Sequence, residues 1–250
     1  MIDGHVNVSS QKYEDGTDLS PDALLAYMDE YGIEKAVVAL GDDNEYISQV
    51  VSKHRTRLVG LASFDVRQTY FGMHKPCKGL EKAVSQLGLS GLKIHPSNMG
   101  IRPDDLSMMP LLRKAADMGI PVMIHSNPWG PGFYETSSPQ YIDHIARIFP
   151  DLTIVMAHMG GTRFLDTAKM TGLNIWVETS SGLEEIAQIF GIRTAERVLR
   201  KIGLNKAMYG SDFPLPAKPQ LKIINKMRLK QEEKERLLHQ NAESVFFKQS

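Results

Sequence analysis

The chain has a single cysteine, only two tryptophans among its 250 residues, no surplus charge and no long apolar run. A lone thiol, Cys77, excludes an internal disulfide and fits a reducing compartment. Basic and acidic residues number 29 each, so the formal net charge is zero. With no basic block either, nothing suits the phosphates of nucleic acid or an anionic membrane. No apolar stretch approaches the roughly 20 residues that span a bilayer. The first residues also lack the basic-then-apolar pattern of a secretory signal. Low-complexity linkers and charged tails are missing as well. The expectation is a cytoplasmic protein, one domain over residues 1–250, taking a small-molecule substrate rather than nucleic acid or membrane.

What is there is ordinary in amount and regular in order. Hydrophobic residues make up 42% and charged ones 23%, enough to build a substantial core. Short apolar runs end at polar residues and alternate with amphipathic stretches. The runs predict strands at 1–7, 33–40, 58–64, 91–95, 121–125, 152–158, 173–179 and 206–212. Helices are expected between them, the first capped by Ser20 with Pro21 in its opening turn and closed at Gly32. Others should cover 45–53, 79–87, 104–118, 139–149, a stretch with Phe164 and Leu165, 183–190, 194–202, 219–227 and 231–247. Alternation of this kind implies a parallel sheet, and strand cores apolar throughout imply that both faces are covered. Eight repeats predict closure into an α/β (β/α)8 TIM barrel. Its site would be built at the carboxyl ends of the strands.

Those ends carry polar groups. In the first strand Asp3, His5 and Asn7 alternate, so a regular strand would send all three to one face. His95, His125, His158 and Asp212 each close a later strand. Buried polar groups need partners, and so many at barrel ends argue for one shared site. Imidazole and carboxylate are ligands of a zinc-like ion. A catalytic zinc needs three of them, and its bound water becomes a usable hydroxide near neutral pH. A spare carboxylate or imidazole can move the proton. His54, His74, His144 and His239 read as ordinary surface or packing residues. Lys93 shares a strand face with His95, facing substrate or an internal carboxylate. Trp129, in a Pro/Gly-rich loop, walls a pocket or anchors the loop. The direction of Glu178 is open, because strand parity does not settle it.

The segments IDGHVN, GLKIHP, PVMIHS, IFPDLTIVMAHMGG, WVETSS, YGSDFP and NAESVF resemble, in order, those of the amidohydrolase superfamily. Within it the chain is similar to the amidohydrolase-related group that includes aminocarboxymuconate-semialdehyde decarboxylase and dicarboxylate lactonases. The resemblance implies one divalent metal, zinc by expectation with Mn²⁺ or Fe²⁺ as alternatives. Its ligands would be His5, the residue at position 7, His125 and Asp212. It implies catalytic roles for His158 and Asp212, and leaves His95, Lys93 and Trp129 to the substrate. Position 7 departs from the family pattern: Asn7 stands where a second histidine is usual. Asn is a neutral oxygen ligand at best, suited to harder ions than zinc. The function implied is a hydrolase of amides, lactones or esters of a small carboxylated substrate, working through metal-activated water. The alternatives are a non-oxidative decarboxylase on the same scaffold and a barrel that has lost catalysis and only binds. A homodimer is the default assembly for such barrels.

Overall fold

Eight parallel strands follow one another around a nearly closed barrel in simple chain order. They are β1 (Ile2–Asn7), β2 (Lys35–Leu40), β3 (Leu58–Ser63), β4 (Gly91–Ile94), β5 (Val122–His125), β6 (Ile154–Ala157), β7 (Ile175–Glu178) and β8 (Ala207–Met208). The computed structural model describes residues 1–13, 15–65, 74–128, 136–170 and 174–247. Alternate strand positions divide between two layers, as period-two side chains must. Ile2, Val37, Leu61, Met123, Val155 and Met208 pack together inside the barrel. Val38, Leu92, Val122, Ile124, Ile154 and Met156 belong to the outer layer beneath the helices. Each such buried side chain contributes roughly 1.5–3 kcal/mol of transfer free energy.

The helices α1 (Pro21–Tyr31), α2 (Asn44–Lys53) and α3 (His74–Ser85) lie between the first strands. Ser20 caps α1 by accepting from the Ala23 N–H, and Gly32 closes it at φ 65°, as its sequence predicts. After β4 the chain makes the short α4 (Pro96–Met99), and α5 (Met109–Asp117) starts later than expected. The residues before α5 are held by Asp104, which is buried and accepts from Arg102 Nε at 2.8 Å and faces His144 Nδ1 at 2.9 Å. Beyond come α6 (Pro139–Ile148), a 3-10 turn over His158–Arg163, and α7 (Phe164–Thr167). The last helices are α8 (Gly182–Phe190), α9 (Ile192–Ile202), α10 (Ala217–Lys226), α11 (Gln231–Glu235) and α12 (Asn241–Phe246). A π-helical turn, Arg236–Gln240, joins the last two into one helix. No helix among the described residues is long and apolar enough to cross a membrane.

Two departures from the expected pattern shape the site. First, the register between β1 and β2 slips between Asp3 and Val6, so the alternation of β1 is broken there. Asp3 therefore does not share the face of His5 and Asn7. Its Oδ1 instead accepts from the backbone N–H of His5 at 3.1 Å and of Ser211 at 2.9 Å. Second, β8 is two residues long, not seven. The Tyr209 N–H leaves the sheet to reach the Leu237 carbonyl at 2.8 Å, in the π-helical turn. The chain then runs against β1: the Gly4 N–H donates to Tyr209 O at 2.9 Å and the Asp212 N–H to His5 O at 2.8 Å. An isolated bridge between Val6 and Phe213 completes the seam. The barrel is closed by these bonds, and they set Asp212 beside His5.

Candidate active site

Among the described residues, four other than glycine have positive φ: His158 (62°), Met159 (55°), Ser181 (54°) and Asp212 (58°). A left-handed conformation costs an L-residue about 1–3 kcal/mol, and such residues persist where surrounding structure holds them. All four lie just beyond the ends of β6, β7 and β8. The geometry lets the chain turn sharply off each strand, and it brings His158 and Asp212 to face the cavity. Gly182 has no room for a Cβ, which would lie 2.1 Å from His158 O. The glycine thus allows α8 to begin directly against the end of β6.

The carboxylate of Glu178, at the end of β7, is fully buried and sits among donors. Its Oε2 lies 3.0 Å from His5 Nδ1, 2.8 Å from Ser180 Oγ and 3.4 Å from the His158 N–H. Its Oε1 accepts from the Ser180 N–H. Burial alone would raise its pKa, but the bond from His5 and the nearby imidazoles hold it below the ordinary value. On the other side of the His5 ring, Lys93 Nζ stands 3.1 Å from Nε2, and Asp212 Oδ1 is 3.5 Å from the same nitrogen. His158 Nε2 meets His125 Nδ1 at 3.0 Å, and His158 Nδ1 meets Ser180 Oγ at 2.9 Å. The His125 ring is stacked on that of His95 with centroids 4.0 Å apart.

Charge in this cluster follows from burial. Desolvation pushes His158 down to about 4 and His95 to about 3, and holds His125 well below the ordinary value. Lys93, fully buried, falls to about 8 through desolvation, against the pull of Asp212 and Glu178. Burial works against ionised Asp212 too. Even so, the neighbouring His5, His158 and Lys93 and the bond from Asn7 bring it down to about 2. Neutral His95, His125 and His158 thus stand beside two ionised carboxylates and one ammonium.

A cavity of about 460 Å³ opens onto these groups, lined by His5, Asn7, Lys93, His95, His125, His158 and Asp212 with Tyr13 and Asp42 at its edge. The sequence placed seven of those residues at the site, and the structure brings all seven to one space. Trp129 lies outside the described residues. Lys93 reaches the imidazole of His5 and the sulfur of Met123 (3.4 Å) and makes no ion pair with a carboxylate among the described residues. Glu178, whose direction the sequence left open, points inward, and Ser180 is the residue sequence reasoning missed. A carboxylate closing an apolar strand and followed by Thr-Ser-Ser was the signal for them. His144, exposed, pairs with the buried carboxylate of Asp104, and His239 with Glu243, both away from the cavity.

The donor set fits a divalent ion. His5, His158 and Glu178 offer ligand atoms within 4.8 Å of one another, and all three are buried. His5 Nδ1 and His158 Nδ1 are already engaged by Glu178 and Ser180, so the donors left facing the cavity are the opposite ring nitrogens and Asp212. Asn7 donates its amide nitrogen to Asp212 Oδ1 and to Phe213 O, both at 2.9 Å. Its Oδ1 is thereby fixed as the free atom, and it is buried without a hydrogen-bond partner among the described residues. An orphaned buried oxygen among imidazoles and carboxylates is a place for a cation.

Comparison with known proteins places the family and the fold. A family model described as Amidohydrolase matches residues 2–248. An 86-residue stretch, 34% of the chain, is 33% identical to 2-amino-3-carboxymuconate-6-semialdehyde decarboxylase of Dictyostelium discoideum. The match spans only 22% of that relative's length. Among solved structures, a 5-carboxyvanillate decarboxylase from Novosphingobium aromaticivorans, complexed with manganese and 4-hydroxy-3-methoxy-5-nitrobenzoic acid, superposes with a TM-score of 0.74 at 18% identity. That likeness covers 96% of this chain and 83% of the other. A probable 2-pyrone-4,6-dicarboxylic acid hydrolase from Acinetobacter baumannii, with citric acid bound, gives 0.72 at 17% identity over 99% of both chains. At these identities the structural likeness establishes the fold. The family and the donor cluster together support a divalent metal.

Proposed function

The chain belongs to the amidohydrolase family, and on that premise we propose that this enzyme releases CO₂ from a small carboxylated substrate without an oxidant, as a metal-dependent decarboxylase. The observation that carries the reading is the buried ammonium of Lys93 beside ionised Asp212 in a cavity of about 460 Å³. That volume suits a single-ring or short dienoic acid.

In the reaction the bond to the carboxyl carbon breaks, its electron pair stays on the remaining carbon, and that carbon takes up one proton. Lys93 is the only lysine or arginine lining the cavity among the described residues, and it attracts the carboxylate. Asp212, kept ionised and fixed by Asn7, accepts a proton from an acidic group of the substrate and returns it to carbon. His158, kept neutral by burial, joins His125 through Nε2 and Ser180 through Nδ1 and can relay a proton along that line rather than hold one. His95 and His125 wall the space with stacked rings. His5, His125 and Asp212, with Asn7 Oδ1, would hold the ion, which when bound supplies Lewis acidity toward the substrate. Zinc fits such a set. The amide oxygen shifts preference toward Mn²⁺.

The partial match to a decarboxylase supports this reading over hydrolysis. Hydrolysis of a lactone, amide or ester is the second reading, favoured by the ionised Asp212, a base suited to water. To test both, the protein loaded with Mn²⁺ or Zn²⁺ is offered single-ring and dienoic carboxylic acids, then the corresponding lactones and amides. CO₂ release from an acid is the expected result. Ring opening without CO₂ would assign the hydrolase, and no turnover with either ion would leave a binding barrel.

A further inference from the structure

Glu178 has no direct place in the chemistry above, yet hydrogen bonds from two sides of the site end on it. A carboxylate accepts only, so His5 must place its proton on Nδ1 to meet Oε2 at 3.0 Å. The opposite nitrogen confirms this, since the Lys93 ammonium offers only donors to His5 Nε2 at 3.1 Å. Ser180 Oγ donates its one hydrogen to the same carboxylate oxygen at 2.8 Å. With that hydrogen used, the hydroxyl can only accept from His158, which therefore carries its proton on Nδ1 at 2.9 Å. His158 Nε2 is then a bare acceptor, and His125 Nδ1, 3.0 Å away, must be the donor. His125 Nε2 is left with its lone pair. Each link has one allowed direction, and all the directions trace back to one buried charge.

We propose that Glu178 is a positioning residue that sets the tautomers of His5, His158 and His125 together. It acts directly on the first ring, and through Ser180 on the other two. The backbone is built for it. Gly210 leaves space for the carboxylate where a Cβ would come within 2.2 Å of Oε1. The N–H groups of Ser180 and His158 add two more donors. The result is that the Nε2 atoms of His5 and His125 both present lone pairs, the form a cation needs. The tautomer assignment rests on hydrogen-bond geometry, and its consequence for metal holding rests on the reading of the previous section.

Long-range proton–nitrogen correlation NMR on ¹⁵N-histidine-labelled, metal-stripped protein tests this, because it separates protonated from bare ring nitrogens. The wild type should show all three rings protonated at Nδ1. Glu178→Gln replaces the one charged acceptor by an amide that can also donate, so Nε2-protonated forms should appear in the His158 and His125 rings, while His5, still opposed by the Lys93 ammonium, changes least. Ser180→Ala should alter His158 and His125 while leaving His5 as it was, and it keeps the test alive if the first variant fails to fold. Both variants should hold Mn²⁺ or Zn²⁺ about 10–100-fold more weakly. Any of the three rings protonated at Nε2 in the wild type would overturn the proposal. So would weaker metal binding in Ser180→Ala with every tautomer unchanged. Wild-type tautomers as assigned, with no metal bound at any loading, would overturn the metal reading alone.

Discussion

Asn7 and Asp212 are joined by a hydrogen bond of 2.9 Å from the side-chain amide to Oδ1. The bond crosses the seam where β8 would otherwise pair with β1. The same amide nitrogen reaches Phe213 O at 2.9 Å, so the Asn side chain is a clamp on the turn that carries Asp212. A histidine at position 7 would offer a better metal donor and a poorer clamp. The chain has exchanged ligand strength for control over one carboxylate.

Asn7→His should therefore gain metal and lose rate. Elemental analysis after identical purification is expected to show more ion per chain than in the wild type. Asn7→Ala removes the clamp without adding a ligand, and kcat should fall about 10–100-fold with KM changing less. If Asn7→Ala turned over at the wild-type rate, the clamp would have no part in catalysis.

The fold was legible from the order of apolar runs and their polar ends, because period and alternation report burial directly. Seven residues of the cavity were legible for related reasons: His95, His125, His158 and Asp212 each close an apolar run, His5 and Asn7 alternate along the first strand, and Lys93 shares a strand face with His95. Asp3 misled. Strict alternation puts it with His5, and only the register slip in β1 separates them. Such a bulge depends on the partner strand, which one segment of sequence does not contain. The length of β8 was hidden likewise, since it is set by the Tyr209 N–H finding Leu237 O, from a helix near the far end of the chain. Glu178 was visible as a residue and invisible as a hub, because its partners come from β1 and the loops after β6 and β7.

Gly210→Ala should disturb the site through packing alone. The added methyl would sit 2.2 Å from Glu178 Oε1 and 2.6 Å from its Cδ, so the buried carboxylate must move. Overpacking of this kind costs about 1–3 kcal/mol, or about 2–10 °C in Tm for a chain of this size. Differential scanning calorimetry measures it. An unchanged Tm would mean that Glu178 can shift without loss.

Stripping the ion should cost both stability and turnover. At a free concentration a hundred times Kd, a ligand specific to the folded state adds about 2.7 kcal/mol. Treatment with a chelator is thus expected to lower Tm by about 5–10 °C and abolish activity. Mn²⁺ or Zn²⁺ in excess should restore both. A stripped protein with unaltered Tm and full activity would rule out a metal-dependent mechanism.

Acid should weaken the metal-stripped protein well above the usual carboxylate range. His158 is lowered to about 4 and His95 to about 3, and His125 is also depressed, each chiefly by burial. Their folded values lie below the ordinary 6.5. As pH falls from 6.5 toward 4, the unfolded chain therefore binds protons that the folded chain does not, and stability drops. Asp3 opposes this. Burial raises it to about 7, so between 7 and the ordinary 3.8 the folded state is the one holding an extra proton. Three histidines against one carboxyl leave a net uptake of about two protons on unfolding near pH 5. Asp212, lowered to about 2, adds to the loss only in the separate window from 3.8 down. The urea midpoint measured from pH 8 to pH 4 should thus hold steady and then decline steeply below 6.5. His95→Gln should make the decline shallower by about one proton's worth. A midpoint that stays flat to pH 4.5 would mean that the rings take up protons in place, and that the neutral cluster is not what holds the site together.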